Sequence, residues 1–292
     1  MTAALEIVDH GMPVQPEVSF RAGDALLRGR VFLPKLRAPR AIVVLNGATG
    51  VPARYYDGFA TWLAETEDIA CLTYDYRDFG RSERGHARRS RATMTDWGVH
   101  DQQAARDFAV LHFPDVPLWI IGHSLGGLCL PFQRDLDQID RVITVGSGSV
   151  HVCDHPWPYQ ALARVFWSSP IIGLAEVLGF LPGRALGLGP DLPLGVYRQW
   201  RRWCTRKDFF HGDIGRHLPW PDWRALTAPM TFVAISDDAL VPPAAVWRLM
   251  QLYPEAWKTQ AVLRPETYGV PKLGHIAVFD PKHRAVWPDI IA

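Results

Sequence analysis

Cysteine is scarce in this 292-residue chain. The four present, Cys71, Cys129, Cys153 and Cys204, are widely spaced, and no two form a C-x-x-C pair. Two of them stand in apolar strand-like or helix-like surroundings, as buried thiols of a reducing compartment do. A cytoplasmic location is the expectation. Charge of one sign is also missing: 31 Lys and Arg against 30 Asp and Glu leave a net charge of +1. Bulk electrostatics therefore point to no nucleic-acid partner and no membrane-surface partner. No run approaches the roughly 18 consecutive apolar residues of a membrane span. Residues 1–20 carry acidic residues and prolines without an apolar h-region, so they do not read as a secretory signal. Internal repeats and low-complexity tracts are absent too.

What is present is enough apolar material for a sizeable core, 48% of the chain, with an ordinary 21% of charged residues. One local basic cluster stands out, Arg81, Arg84, Arg88, Arg89 and Arg91, and it reads as a solvated loop. Residues 18–20 and 26–33 suggest an opening antiparallel pair around Ala22-Gly23-Asp24. Short apolar runs at 41–45, 69–74, 117–121, 141–145 and 230–235 have the composition of buried strands, with a last short one at 260–263. Helical patterns lie between them at 55–65, about 94–112 and 243–252, and a closing helix at 281–291 is interrupted by Pro288. Alternation of this kind predicts an α/β fold with a mostly parallel central sheet and helices on both faces.

The most informative stretch is the strand that runs into Gly122-His123-Ser124-Leu125-Gly126. An apolar strand ending in G-x-S-x-G, with helix-forming residues after it, is the pattern of a nucleophile elbow. The serine of such a turn has a strained backbone, and the residues two before and two after it must be small for the turn to close. Gly122 and Gly126 meet that need, and Gly127 adds room where the next element packs on the sheet. Leu125 is expected as the first residue of the following helix, its N–H aimed at whatever Ser124 attacks.

A serine hydroxyl needs a base to take its proton and a carboxylate to orient that base. After an elbow these follow in the order serine, acid, histidine. Of the 11 histidines, His275 fits by position, preceded by Gly274 in a loop before the closing helix. His123 is too close in sequence to reach Ser124 correctly. His211, His217 and His283 lie elsewhere. The acid is expected at Asp238, in the loop after the strand at 230–235, with Asp237 as a local cap. Asp154, after the strand that follows the elbow, is the alternative. The oxyanion hole needs two N–H donors. Leu125 supplies one, and the loop Asn46-Gly47-Ala48-Thr49-Gly50 supplies the other, from Ala48 first and Thr49 next.

Between 154 and 222 the α/β rhythm breaks. This stretch is rich in proline and glycine, carries an apolar helix-like run at 171–178, and holds or borders half of the twelve tryptophans. It reads as an inserted helical cap on a core made of 1–153 and 223–292. Trp157, Trp200 and Trp203 are the expected wall of an apolar or aromatic acyl pocket, and the same residues could also fasten the cap to the core.

These blocks together resemble the α/β-hydrolase superfamily, over nearly the whole chain. Asn46-Gly47 is similar to the family's H-G, with asparagine in place of histidine. Asp75-Tyr76-Arg77-Asp78-Phe79-Gly80-Arg81-Ser82 is similar to its D-x-R-G-x-G-x-S turn, with Asp78 where glycine is usual. Asn46 through Pro52, Asp191-Leu192-Pro193 and the pair Trp200 and Trp203 resemble a subgroup of bacterial α/β serine hydrolases without assigned substrate. The resemblance implies a cytosolic serine hydrolase with a cap. The expected activity is cleavage of a carboxylic ester with a small or medium apolar or aromatic acyl group. No metal or organic cofactor is expected, and the partner is a small-molecule acyl substrate. An acyltransferase or thioesterase would use the same three residues. A peptidase or a non-catalytic binding protein fits less well, and dehalogenase or epoxide hydrolase chemistry would place aspartate at position 124.

Overall fold

The computed structural model describes residues 15–292, so the reading of the N-terminus as lacking a secretory signal falls mostly outside them. The chain opens with an antiparallel hairpin, β1 (Glu17–Ala22) and β2 (Ala25–Phe32). Gly23 makes its turn at a φ of +63°, which glycine adopts without strain. There follow β3 (Ala41–Asn46), α1 (Asp57–Thr66), β4 (Ile69–Asp75), α2 (Gln102–His112), β5 (Leu118–His123) and β6 (Arg141–Val145). Between β6 and the next strand of this sheet come α3 (Tyr159–Phe166), α4 (Ser169–Leu178), a small antiparallel pair of β7 (Phe180–Leu181) and β8 (Leu192–Pro193), and α5 (Leu194–Thr205). The chain returns with β9 (Met230–Ile235), α6 (Pro243–Met250), β10 (Lys258–Leu263) and α7 (Trp287–Ile291).

Eight strands form one sheet in the order β1-β2-β4-β3-β5-β6-β9-β10. From β4 onward every neighbouring pair is parallel. The expected α/β architecture with its opening hairpin is therefore what forms. The inner strands are apolar on both faces because helices cover both. Along β3, Ile42 and Val44 enter one core while Ala41, Val43 and Leu45 enter the other. On β5 and β9 the same alternation separates Ile120 from Ile121 and Phe232 from Val233.

The sheet order fixes where a site can lie. From β3 the chain moves outward to β4, then crosses back to β5 on the other side of β3. Such a reversal opens a crevice at the carboxyl ends of the two strands between which it occurs. Here those ends are Asn46 and His123, and Asn46 pairs in register with Gly122. The loop after Asn46 and the turn at Ser124 are neighbours for that topological reason.

Two local expectations change. The chain after β5 makes a one-turn 3-10 helix, Ser124–Gly127, and another at Leu130–Phe132, in place of a long α-helix opened by Leu125. Paired glycines at 126 and 127 lower helix propensity, and Pro131 removes a donor. The helix expected over 94–112 begins as a π-helical stretch, Asp96–Asp101, before α2. Within that wider stretch Gly98 faces the elbow, and a Cβ there would overlap Cys129 Sγ and lie 3.5 Å from Leu125 Cδ1. Cys71, Cys129 and Cys204 are buried free thiols, and Cys153 is exposed.

Candidate active site

Ser124 has a φ of +55°, one of five non-glycine residues with positive φ among those described. The left-handed conformation costs a side-chain-bearing residue roughly 1–2 kcal/mol. It is held by close packing on both sides. A Cβ on Gly122 would overlap the Gly126 carbonyl, one on Gly126 would overlap the carbonyl of Asn46, and one on Gly127 would overlap Ser147 Oγ. Gly122 and Gly126, read from sequence as necessary, are necessary for these contacts, and Gly127, read as adding room, is equally confined. Asp78, at the usual glycine position of its turn, also has positive φ, +55°, and its carboxylate accepts from Ser90 Oγ at 2.7 Å.

The loops after β9 and β10 bring Asp238 and His275 together. Asp238 Oδ2 accepts from His275 Nδ1 at 2.6 Å, and both residues are buried. The backbone N–H groups of Leu240 and Val241 donate to Asp238 Oδ1 at 2.8 and 2.9 Å, which fixes the carboxylate plane. Asp237 is not merely a local cap. Its two oxygens accept from the N–H groups of Leu273 and Gly274 at 3.0 and 2.9 Å and so hold the loop that carries His275. Gly146, at the end of β6, has a φ of +55° and passes under the pair, where a Cβ would lie 3.1 Å from the imidazole and 3.3 Å from Asp238 Oδ2. Asp154 is elsewhere: it caps the turn at His151 and pairs with Arg248.

Ala48 requires a correction. Its N–H donates to Tyr56 Oη at 2.9 Å on the buried side of the loop, so this donor is engaged and turned from the cavity. Tyr56 Oη in turn lies 2.7 Å from His123 Nδ1, and His123 Nε2 lies 3.0 Å from the carbonyl of His275. A carbonyl only accepts, so Nε2 carries the imidazole proton and Nδ1 accepts from the tyrosine hydroxyl. This relay ties the loop after β3 to the loop holding His275. No periodicity or motif in the sequence announces it. The remaining candidates for an oxyanion are Leu125, whose N–H opens the turn and has no partner within it, and Thr49, which lines the cavity.

Burial, with the nearby His275 adding to it, pushes His123 well below its ordinary value and keeps it neutral in the fold. In an unfolded chain it would take up a proton as pH falls through about 6.5. The stability this neutral histidine contributes is complete above that value and declines below it, by about 1.4 kcal/mol per pH unit. Urea unfolding at about pH 7.5 and about pH 5.5 should show this slope, and His123→Gln should flatten it. A variant with the wild-type slope would contradict the neutral relay.

Ser124 and His275 open onto one cavity of about 500 Å³. No hydrogen bond joins their side chains among the described residues, and such bonds tighten only when substrate is in place. The walls are mostly apolar and come largely from α3, α4 and α5 and the segments around them. Trp200 and Trp203 line the cavity as expected. Trp203 is fully buried and donates from Nε1 to Asp213 at 2.7 Å, while Trp200 packs edge-on against Trp167, with ring centres 5.0 Å apart. Trp157 does not line it: the residue is 77% exposed on the outer side of the segment. His155, not singled out by sequence, does line it. Its Nδ1 donates to the Ala239 carbonyl at 3.0 Å, and burial lowers its pKa.

A strained serine at the switch point of a mostly parallel sheet, beside a buried Asp–His pair, is the arrangement of an α/β hydrolase. A sequence model of the alpha/beta hydrolase family matches residues 42–286, and the chain belongs to that family. Its structure is similar to that of an α/β serine hydrolase without lid from Xanthomonas campestris, at 11% identity over 95% of this chain and 93% of that one, with a TM-score of 0.54. It is also similar to a thermophilic esterase from Thermogutta terrifontis (14% identity, 95% and 97% covered, TM-score 0.54). A third similar structure is an enol-lactonase from Burkholderia xenovorans LB400 (16% identity, 93% and 98% covered, TM-score 0.56). At these identities the likeness is one of fold. No curated protein sequence matches the chain.

Proposed function

We propose that this protein is an esterase-type serine hydrolase acting on carboxylic esters with a small or medium apolar or aromatic acyl group. The observation that carries the reading is that Ser124, at a φ of +55°, and the His275–Asp238 pair open onto the same apolar cavity of about 500 Å³. In this reading His275 Nε2 takes the proton of Ser124 as its oxygen attacks the ester carbonyl. Asp238 holds the imidazole by its Nδ1–H and stabilises the imidazolium that forms. The oxyanion is met by the N–H groups of Leu125 and Thr49. His275 then passes its proton to the departing alkoxide, leaving an acyl group on Ser124, and water attacks the acyl-enzyme with His275 again as base. Residues 154–222 act as the cap, with Trp200 and Trp203 against the acyl group. A cytoplasmic location belongs to the same reading, supported by four free thiols.

The similarity in fold to an esterase and an enol-lactonase agrees with ester-bond chemistry. A series of p-nitrophenyl esters from acetyl to dodecanoyl tests the acyl preference. The apolar walls predict that kcat/KM rises from acetyl to medium chains and then falls as the cavity fills. Flat or steadily falling values from acetyl onward would remove the role assigned to the cavity. An acyltransferase or thioesterase would use the same three residues, with an alcohol or thiol taking the place of water as acceptor or leaving group. Product analysis with added alcohol separates hydrolysis from transfer.

A further inference from the structure

The outer surface of the cap has the wrong composition for water. Seven of the twelve exposed large hydrophobic residues among those described fall within 157–188. Helix α4 is apolar on nearly every side, yet Ala175 is its one fully buried residue, and its single charge, Glu176, is bound by Arg198. A helix hydrophobic all round normally lies in a core or in lipid, and an exposed apolar patch of this kind marks an interaction surface. Val177 is 85% exposed, and Trp157 projects from the same segment.

Two further observations indicate what covers it. Leu162 and Val165 on α3 are 57% and 60% exposed and also line the cavity of Ser124, so the apolar surface continues through the cavity mouth. The basic segment borders the patch at the other end of α4. Gly179 packs on Arg88, and the His86 ring sits 4.7 Å from that of Phe180. Arg88, Arg89 and Arg91 are exposed. Of the five arginines of this segment, Arg81 pairs with Glu17 at 3.2 Å and Arg84 with Asp78 at 3.5 Å, while Arg88, Arg89 and Arg91 have no carboxylate partner among the described residues. An apolar face rimmed by arginines suits a layer of acyl chains under anionic headgroups. The 20 residues Tyr159–Leu178 match a membrane span by composition. They are nevertheless split into helices of 8 and 10 residues, about half the roughly 20 needed to cross.

We propose that α3, α4 and Trp157 lie flat on an anionic phospholipid surface, with Arg88 and Arg89 at the headgroups and the cavity mouth facing the acyl layer. This docking does not depend on the ester reading. Delivery of a lipid acyl ester to Ser124 through Leu162 and Val165 does.

The test is co-sedimentation of the full chain carrying Ser124→Ala, which leaves lipid intact, with vesicles of phosphatidylcholine alone or mixed with phosphatidylglycerol. Partitioning is expected on the mixed vesicles and should weaken as salt rises. Each of Arg88→Ala and Arg89→Ala should lower it about fivefold. Leu174→Glu combined with Val177→Glu should lower it about tenfold or more. In the otherwise unmodified enzyme that same pair should leave thermal unfolding and turnover of a soluble acetyl ester unchanged. Failure to sediment with any vesicle at low salt would overturn the proposal, as would equal partitioning of the Leu174/Val177 variant. A wild-type dimer that dissociates on those substitutions would assign the face to a second copy and overturn it likewise. Because binding is read without turnover, its failure is distinguishable from failure of the hydrolase reading.

Discussion

Ser124→Gly is expected to abolish ester turnover and to raise stability at once. The left-handed backbone at +55° that presents the hydroxyl is strained for serine and natural for glycine. Relief of roughly 1–2 kcal/mol, less the roughly 0.4–1 kcal/mol that glycine costs through the freer unfolded chain, leaves a net gain of up to about 1.6 kcal/mol. Loss of the nucleophile should lower kcat by at least about 10⁴-fold. Ser124→Ala should lose as much activity without the gain, because alanine keeps the Cβ. Thermal unfolding and ester kinetics on the two variants check the pair of effects. Residual turnover at the wild-type level in either would remove Ser124 from the chemistry. A glycine variant less stable than the alanine variant would contradict the strained elbow.

Asp238→Asn should lower kcat by about 10⁴-fold with little change in fold, because an amide at 2.6 Å from Nδ1 can hold the imidazole in the wrong tautomer. The three acids weighed from sequence are then separated by experiment. Asp237→Asn should loosen the His275 loop, through Leu273 and Gly274, and cost far less. Asp154→Asn should leave turnover unchanged, since that carboxylate is paired with Arg248. Kinetics on the three variants reverse the assignment if Asp154→Asn is the damaging one.

The sheet and the placement of the three candidate site residues at strand ends were legible because each is announced by a strand. Short, wholly apolar runs such as those of β3 and β5 have few alternatives to a covered parallel sheet, and strand ends at a sheet's reversal are where side chains converge. Ser124, Asp238 and His275 all follow such ends in loops. What was not legible depends on which way a group faces once the chain is folded. Ala48 looked like the better donor by its place after β3, but Tyr56, eight residues on, takes its N–H from the buried side. Trp157 looked like a pocket wall by composition, yet it sits in a loop before α3 with no periodicity to tell inside from outside. The helix expected after Ser124 gave way to 3-10 turns because the glycines that close the elbow also weaken the helix. The near-neutral net charge hid the local meeting of the arginine segment with the apolar helix α4, since an average over the chain says nothing of adjacency.

The most direct measurement is reaction of the folded protein with a fluorophosphonate, followed by mass-spectrometric mapping of the adduct. A serine activated by His275 and Asp238 should carry one adduct, on Ser124, and His275→Ala should react far more slowly. No adduct in folded protein, or an adduct on a different residue, would contradict the assignment of Ser124 as the nucleophile.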